Sequence, residues 1–363
     1  MPLRCRRAAD LLALVLLAVG GPAGAAEAAK AHAYRDRNFD YFVSGDPSAP
    51  RAAHTEPGYA LMGGGGNNDS AWRFLATRAG RGHFVILRAV SDDSYDPDDG
   101  NYGKLLQTRW GGVASAETIV FHNREASSDP RVIKTVREAD GIFLAGGDQS
   151  NYVRYWKGTQ VGDALNEHVR ARRPIGGSSA GLAVLGRYSY TAFDGGSMES
   201  RVALADPFDS GVTLENDFLH LPMLENVITD THFSKRCRLG RLIAFLARLN
   251  KEQDDKVFGI GVDEKTALLV DADGSARLAK GSAGSAWIVR PRRAASTLSA
   301  KQPLSIDELW LLRMDERSSV DVRDGTIRNP AAEAILSIRS GELVRPSMAT
   351  PILKRDKVPS GED

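Results

Sequence analysis

The sequence predicts an α/β fold built on a mainly parallel sheet, and three observations carry that expectation. Short apolar runs without polar alternation occur at Tyr59-Ala-Leu-Met62, His83-Phe-Val-Ile-Leu-Arg-Ala89, Thr118-Ile-Val-Phe121 and Gly141-Ile-Phe-Leu144, as strands buried on both faces require. Stretches with helical spacing separate them, the alternation that yields parallel strands with helices on both sides. Several runs end on glycine turns, Gly63-Gly-Gly-Gly66 and Gly146-Gly-Asp-Gln149 among them, and such sheets bind ligands at these carboxyl ends.

In chain order, Arg4, Arg6 and Arg7, the apolar run Leu11 to Val19 and Ala23-Gly24-Ala25 have the layout of a cleavable signal, so residues 1–25 are expected to direct export to the periplasm or beyond the cell. The apolar run is shorter than the roughly 20 residues of a spanning helix, and no membrane contact is expected of the mature chain. Removal of Cys5 leaves Cys237 alone, with no internal disulfide. Residues 26–57, rich in Ala, Arg and Asp, read as a loosely ordered lead-in, residues 58–345 as the α/β domain, and residues 346–363 as a tail. Asp69 or Ser70 is expected to cap a helix carrying Trp72, Phe74 and Leu75. Further helices are expected near Tyr102 to Trp110, Arg131 to Asp140 and Tyr152 to Arg170. Ser234 to Asn250 is another, with Leu239, Leu242, Ile243, Leu246 and Leu249 on one stripe. Past Lys256 the pattern turns to strands, with a hairpin turn at Asp271-Ala-Asp-Gly274, read as the far part of the same sheet plus an antiparallel C-terminal region.

With 42% hydrophobic and 26% charged residues the chain can bury a core, and its net charge of +1 gives no footprint for nucleic acid. The acidic loop Asp92, Asp93, Asp96, Asp98 and Asp99 lacks calcium-loop spacing and reads as solvent-exposed. No His or Cys pair has zinc spacing, so neither metal nor cofactor is expected.

The chemistry centres on Gly177-Ser178-Ser179-Ala180-Gly181, a G-x-S-x-G nucleophile elbow between a strand and a helix. Ser179 is the candidate nucleophile, and the N–H of Ala180 with those of Gly65 and Gly66 are candidate oxyanion donors. A serine needs a base and the base an orienting acid. His232, where an apolar strand meets a helix, is preferred over His220, whose apolar neighbours suggest a packed side chain. Asp194, between serine and histidine in the chain, is the preferred acid and Glu199 the alternative. Gln149 is placed for a substrate amide. Arg238 and Arg241 are expected on a helix face away from the leucine stripe, where with Lys235 and Arg236 they form either a solvated face or a carboxylate-binding cluster. Asp230 either holds a cationic group or pairs with one of these arginines.

Gly146-Gly-Asp-Gln149, Gly176-Gly-Ser-Ser-Ala-Gly181, Asp230-Thr-His-Phe-Ser-Lys-Arg-Cys-Arg-Leu-Gly-Arg241 and Gly259-Ile-Gly-Val-Asp-Glu264 together resemble the peptidase E and cyanophycinase family of serine peptidases, from the Gly63 turn to about Val270. The resemblance implies a flavodoxin-like sandwich similar to class I glutamine amidotransferase domains, with Ser179 as nucleophile and His232 as base. It further implies that Gln149, Arg236, Arg238 and Arg241 surround an aspartyl residue bearing arginine in isopeptide linkage, so that the partner is a peptide or polymer rich in Asp and Arg. Asp230 and Thr231 fall in the same segment, with Thr231 where cyanophycinases tend to carry Gln. A homodimer is compatible with this reading. An aspartyl dipeptidase and an inactive exported binding protein are the alternatives on the same scaffold. An esterase of α/β-hydrolase type would place its histidine nearer the C-terminal end, and an amidotransferase would need cysteine at position 179.

Overall fold

The computed structural model describes residues 32–90, 101–194, 196–252 and 256–344, so the signal segment, the acidic loop at 92–99 and the tail lie outside the described residues. In chain order the strands are β1 (His32–Arg35), β2 (Phe39–Gly45), β3 (Tyr59–Met62), β4 (His83–Ala89), β5 (Ser115–Phe121), β6 (Gly141–Leu144), β7 (Ile175–Ser178), β8 (Ser189–Tyr190), β9 (Leu214–Glu215), β10 (Val227–Asp230), β11 (Phe258–Val262), β12 (Ala267–Val270), β13 (Ser275–Leu278), β14 (Ala286–Pro291), β15 (Ile306–Met314), β16 (Ser319–Asp321), β17 (Thr326–Arg328), β18 (Ala332–Arg339) and β19 (Glu342–Val344).

The larger sheet has the order β1-β2-β5-β4-β6-β7-β3-β12-β13-β16-β17. Its middle five strands, β5, β4, β6, β7 and β3, are parallel to one another, and the strands outside them add antiparallel. Alternate side chains of the buried strands enter different cores, as a two-residue period requires. Phe84, Ile86 and Phe143 meet the helix Asp69–Arg78 on one face, where Trp72 stacks on Trp110 with ring centroids 4.5 Å apart. Val85, Leu87, Ile142 and Leu144 meet the helices Pro130–Glu138, Gln149–Trp156 and Gln160–Arg170 on the other. A mixed α/β sandwich with a strand-rich C-terminal region results.

The second sheet runs β10-β11-β14-β15-β18-β19, with β10 and β11 parallel. Thus β12 and β13 extend the first sheet as expected, whereas β10 and β11 open a separate one. One face of the second sheet, through Phe258, Ile260 and Ile288, joins the core of the first. The helix Leu239–Glu252 packs on its other face, with Leu242, Phe245 and Leu246 in the same core as Trp287, Val289 and Leu311.

Four local expectations are corrected. The described part of the lead-in is ordered into β1 and β2, and all seven residues of β2 pair with β5, from Phe39↔Phe121 to Gly45↔Ser115. Phe39, Phe42 and Val43 supply the apolar, β-favouring side chains that composition alone obscured. The long helix over 152–170 is two, separated at Gly158, whose φ of +65° ends the first, and Thr159 caps the second through a 3.3 Å bond from Gly162 N–H. The first helix is capped by Asn68, whose Oδ1 accepts from Ala71 N–H at 3.0 Å. The helix expected from Ser234 begins at Leu239, because His232 and Cys237 take left-handed φ values of +47° and +49° and hold the intervening residues in a turn.

One buried histidine supports the strand that carries the elbow. His168 in the helix Gln160–Arg170 donates from Nε2 to the carbonyl of Pro174 at 2.9 Å, just before β7. Burial pushes its pKa from 6.5 down to about 4. The unfolded chain therefore takes up this proton first as pH falls, and the fold should lose about 3 kcal/mol between pH 6.5 and 4 and nothing more from this group below that. Urea unfolding across that range, compared with His168→Asn, measures the contribution. A variant that keeps the full acid sensitivity would assign the loss elsewhere.

Candidate active site

The elbow forms because two glycines let the chain double back. A Cβ on Gly177 would lie 2.5 Å from the carbonyl oxygen of Gly181, and one on Gly181 would lie 2.0 Å from that of Leu144. The turn between them forces Ser179 to φ +54° and ψ −119°, a strained backbone that presents its side chain at the carboxyl end of β7. Its N–H is fixed by the carbonyl of Met62 at 3.1 Å, tying the elbow to the neighbouring strand β3.

The second sheet brings the histidine to that rim. β10 and β11 are parallel with Asp230 opposite Gly261, so the loops that leave their carboxyl ends run side by side. One carries His232 and the other Glu264. His232 N–H donates to the carbonyl of Gly63 at 2.8 Å, and its Nε2 lies 2.7 Å from Ser179 Oγ. Its Nδ1 lies 2.8 Å from Glu264 Oε1. A carboxylate on Nδ1 selects the tautomer with the proton there, which leaves Nε2 to accept from the serine hydroxyl. Burial pushes the imidazole below its ordinary value of 6.5; the Glu264 bond opposes this, and the charges of Arg236 and Arg238 add to it. The ring is therefore neutral at pH 7, the state in which it can take a proton. The acid limb of kcat/KM is expected below pH 6.5, and removal of the nearby charge in Arg236→Ala should move it upward. A pH–rate profile with its acid limb above 6.5, or unmoved in the variant, would contradict this.

Ser179 and His232 are thus brought together as the sequence suggests, but the carboxylate that meets the imidazole is that of Glu264, not of Asp194 or Glu199. Both ring nitrogens of His232 are occupied by Ser179 and Glu264, which leaves no place for a second carboxylate. Asp194 and Glu199 instead line a cavity of about 340 Å³ with Tyr190, Ser197, Met198 and Asp209. The signal that would have found Glu264 was its offset from β11, equal to that of His232 from β10. His220, expected to be packed, is exposed and sits 3.2 Å from Asp217.

The two glycine turns flank the dyad. Gly64, with φ +91°, is the closest: a Cβ there would sit 2.5 Å from His232 Nε2 and 3.0 Å from Ser179 Cβ. Gly65 faces Glu264 and Gly66 faces Lys265, so the turn covers the whole relay. Ala180 opens the helix directly after Ser179. On the other side a Cβ on Gly146 would come 3.6 Å from Ser179 Cβ, and Gln149 begins the next helix, half-buried. Asp148 caps that helix, accepting from Ser150 N–H at 2.9 Å.

The basic segment divides. Lys235 and Arg236 are exposed, whereas Arg238 and Arg241 are 6% and 2% exposed. Arg241 grips the buried Asp230 carboxylate with two bonds, Nε to Oδ2 at 2.8 Å and Nη2 to Oδ1 at 2.5 Å. Arg238 donates to the Thr231 carbonyl and hydroxyl at 2.8 and 2.9 Å, and both arginines reach Ser197 Oγ, at 3.0 and 2.7 Å. Burial pushes the Arg238 guanidinium down to about 10, still cationic at neutral pH. Asp230, Thr231, Arg238 and Arg241 therefore form an internal network behind the histidine, and of the three arginines expected at substrate only Arg236 is presented to solvent. Among the described residues no group of His, Cys, Asp and Glu side chains is arranged to hold a metal, and no helix is long and apolar enough to cross a membrane.

The model of peptidase family S51 matches residues 113–278. A cyanophycinase of Synechococcus elongatus is 30% identical over 259 residues, covering 69% of this chain and 74% of the relative. A cyanophycinase of Trichormus variabilis is 31% identical over 217 residues, covering 58% and 66%. A crystal structure of a peptidase from an acI-B1 actinobacterium aligns at 16% identity with a TM-score of 0.46, over 65% of this chain and 91% of that one.

Proposed function

Since the chain belongs to the S51 family of serine peptidases, we propose that it hydrolyses aspartyl peptide bonds in a polymer of aspartate and arginine, cyanophycin, through an acyl-enzyme on Ser179. The observation that carries this reading is the relay of Ser179 Oγ, the His232 ring and Glu264 at 2.7 and 2.8 Å. Attack of Oγ on the substrate carbonyl carbon passes the hydroxyl proton to His232 Nε2, and the Glu264 carboxylate stabilises the resulting imidazolium. The oxyanion lies between the Ala180 N–H, at the start of the helix, and the Gly63–Gly66 turn. Nε2–H then protonates the leaving amine, and a water molecule activated by the same nitrogen releases the acyl group. Arg236, exposed beside the histidine, meets a substrate carboxylate, and Gln149 meets the chain from the opposite turn.

The test is incubation of purified protein with cyanophycin, with β-Asp-Arg and with simple Asp-X dipeptides, with products identified by mass. Release of Asp-Arg units from the polymer is the expected result. Cleavage of Asp-X dipeptides with the polymer untouched would assign the aspartyl dipeptidase alternative. The same reading has the protein exported, supported by the basic and apolar segments before Ala23-Gly24-Ala25. N-terminal sequencing of protein recovered outside the cytoplasm should then begin at Ala26, and an intact Met1 would refute it.

A further inference from the structure

We propose that Asp263 is the positioning residue that sets the His232–Glu264 contact, an assignment that rests on the serine-hydrolase reading above. The relay is assembled from two loops on adjacent strands of the second sheet, the one after β10 carrying His232 and the one after β11 carrying Glu264. Main-chain bonds hold each of these loops to the glycine turn, His232 N–H to Gly63 and Lys265 N–H to Gly64 at 2.7 Å. They join one to the other through a bond from Phe233 N–H to the Val262 carbonyl at 3.2 Å. Beyond that bond, the side chain that bridges the loops on the far side of the relay is Asp263, next to Glu264. Its Oδ1 accepts from Ser234 N–H at 2.9 Å and from Ser234 Oγ at 2.6 Å, two residues past the histidine. Its Oδ2 accepts from Ser285 N–H at 3.0 Å and from Trp287 Nε1 at 3.3 Å, where β14 begins.

A carboxylate is the side chain this position demands. All four partners donate, and an ionised carboxylate only accepts, on both oxygens. The clamp is also anchored to rigid structure, since Trp287 is 4% exposed on β14, and β14 pairs with β11 along Gly259–Val262. The space is tight: a Cβ on Gly284 would come 2.6 Å from Asp263 Cβ, and one on Gly261 would come 2.5 Å from the Phe233 ring. Asp263 therefore fixes the base loop, the acid loop and the sheet edge at one point without touching the reacting atoms.

The test reads the relay rather than turnover. Asp263→Ala is expected to slow labelling of Ser179 by a fluorophosphonate by about 10- to 100-fold, the cost of a small misplacement of catalytic groups. It should also abolish the low-field proton resonance of His232 Nδ1–H bonded to Glu264. The acid limb of labelling should move to lower pH, because the Glu264 bond that raises the imidazole pKa is loosened. Asp263→Asn puts an NH₂ group against donors on one side of the clamp and should fall between wild type and alanine. Ser234→Ala removes one of the four bonds and serves if the alanine variant does not fold. A purely structural residue would lower the melting temperature and leave the resonance and the acid limb where they were, and that result in Asp263→Asn would overturn the assignment. A wrong substrate class gives a different outcome, wild-type labelling with the polymer uncut.

Discussion

Ser179→Ala is expected to lower kcat on the aspartyl substrate by about 10⁴- to 10⁶-fold with the fold intact, because the residue proposed to form the acyl bond is gone while the surrounding turn tolerates a smaller side chain. The same relay makes Glu264→Gln the sharper test. Glutamine is nearly isosteric, yet it lacks the charge that stabilises the imidazolium, and its amide favours the wrong tautomer if its NH₂ faces Nδ1. A loss of about 10³- to 10⁴-fold in kcat is expected, by the logic that applies to the buried aspartate of a serine-protease triad. Asp194→Ala and Glu199→Ala should leave kcat unchanged, since neither residue reaches a ring nitrogen of His232. Because the three groups act as a unit, Ser179→Ala with Glu264→Gln should be no slower than Ser179→Ala alone. Single-turnover kinetics on the four single variants and the double decide the matter. Wild-type rates in Glu264→Gln, or a large loss in Asp194→Ala, would return the acid to the loop preceding the histidine.

Much of this arrangement was legible in the residues, and what was not has identifiable causes. The parallel core strands announce themselves because both faces are buried, so β4 and β6 read as unbroken apolar runs. Ser179 is legible because the elbow needs Gly177 and Gly181 for steric reasons that act within five residues. His232 is legible because it follows an apolar strand. Glu264 was hidden by an expectation about chain order, with acid before base, when the pairing is set by β10 lying parallel to β11 in a sheet the sequence had not separated from the first. Residues 39–45 are hidden by composition: an antiparallel strand added outside the parallel strands is a long-range pairing, and its Asp and Ser positions dilute the apolar signal. The pairing of Asp230 with an arginine is one of the two roles its sequence position suggests, but the burial of Arg238 and Arg241 is not legible, because an arginine in a polar run is ordinarily solvated and only the fold brings Ser197 to meet them.

That burial reverses the expected phenotype of Arg241→Ala. An arginine lying on substrate would raise KM and spare stability, whereas this one is 2% exposed, bonded twice to a carboxylate that is 1% exposed, and packed with its guanidinium 5.0 Å from the Tyr190 ring centroid. Removing it strands Asp230 with Arg238 at 3.4 Å and the Thr231 N–H at 2.8 Å. Breaking a buried pair from one side costs about 3–5 kcal/mol, so Arg241→Ala should lower the urea midpoint strongly. The pH dependence carries the sign. In the intact protein burial pushes the Asp230 carboxyl up, but the Arg241 charge and hydrogen bonds outweigh it and hold the carboxyl below the usual range. Stability from this pair is therefore present above the unfolded carboxyl value and lost as pH falls through the lower folded one. Without Arg241 the burial effect gains weight, the carboxyl rises and is more readily neutralised, and the deficit of the variant relative to wild type should shrink as pH is lowered. Arg241→Met with Asp230→Leu, which removes both charges and keeps apolar volume, should be less destabilised than Arg241→Ala. Urea unfolding at several pH values tests all three statements. An Arg241→Ala protein of wild-type stability with a raised KM would place this guanidinium on the substrate after all.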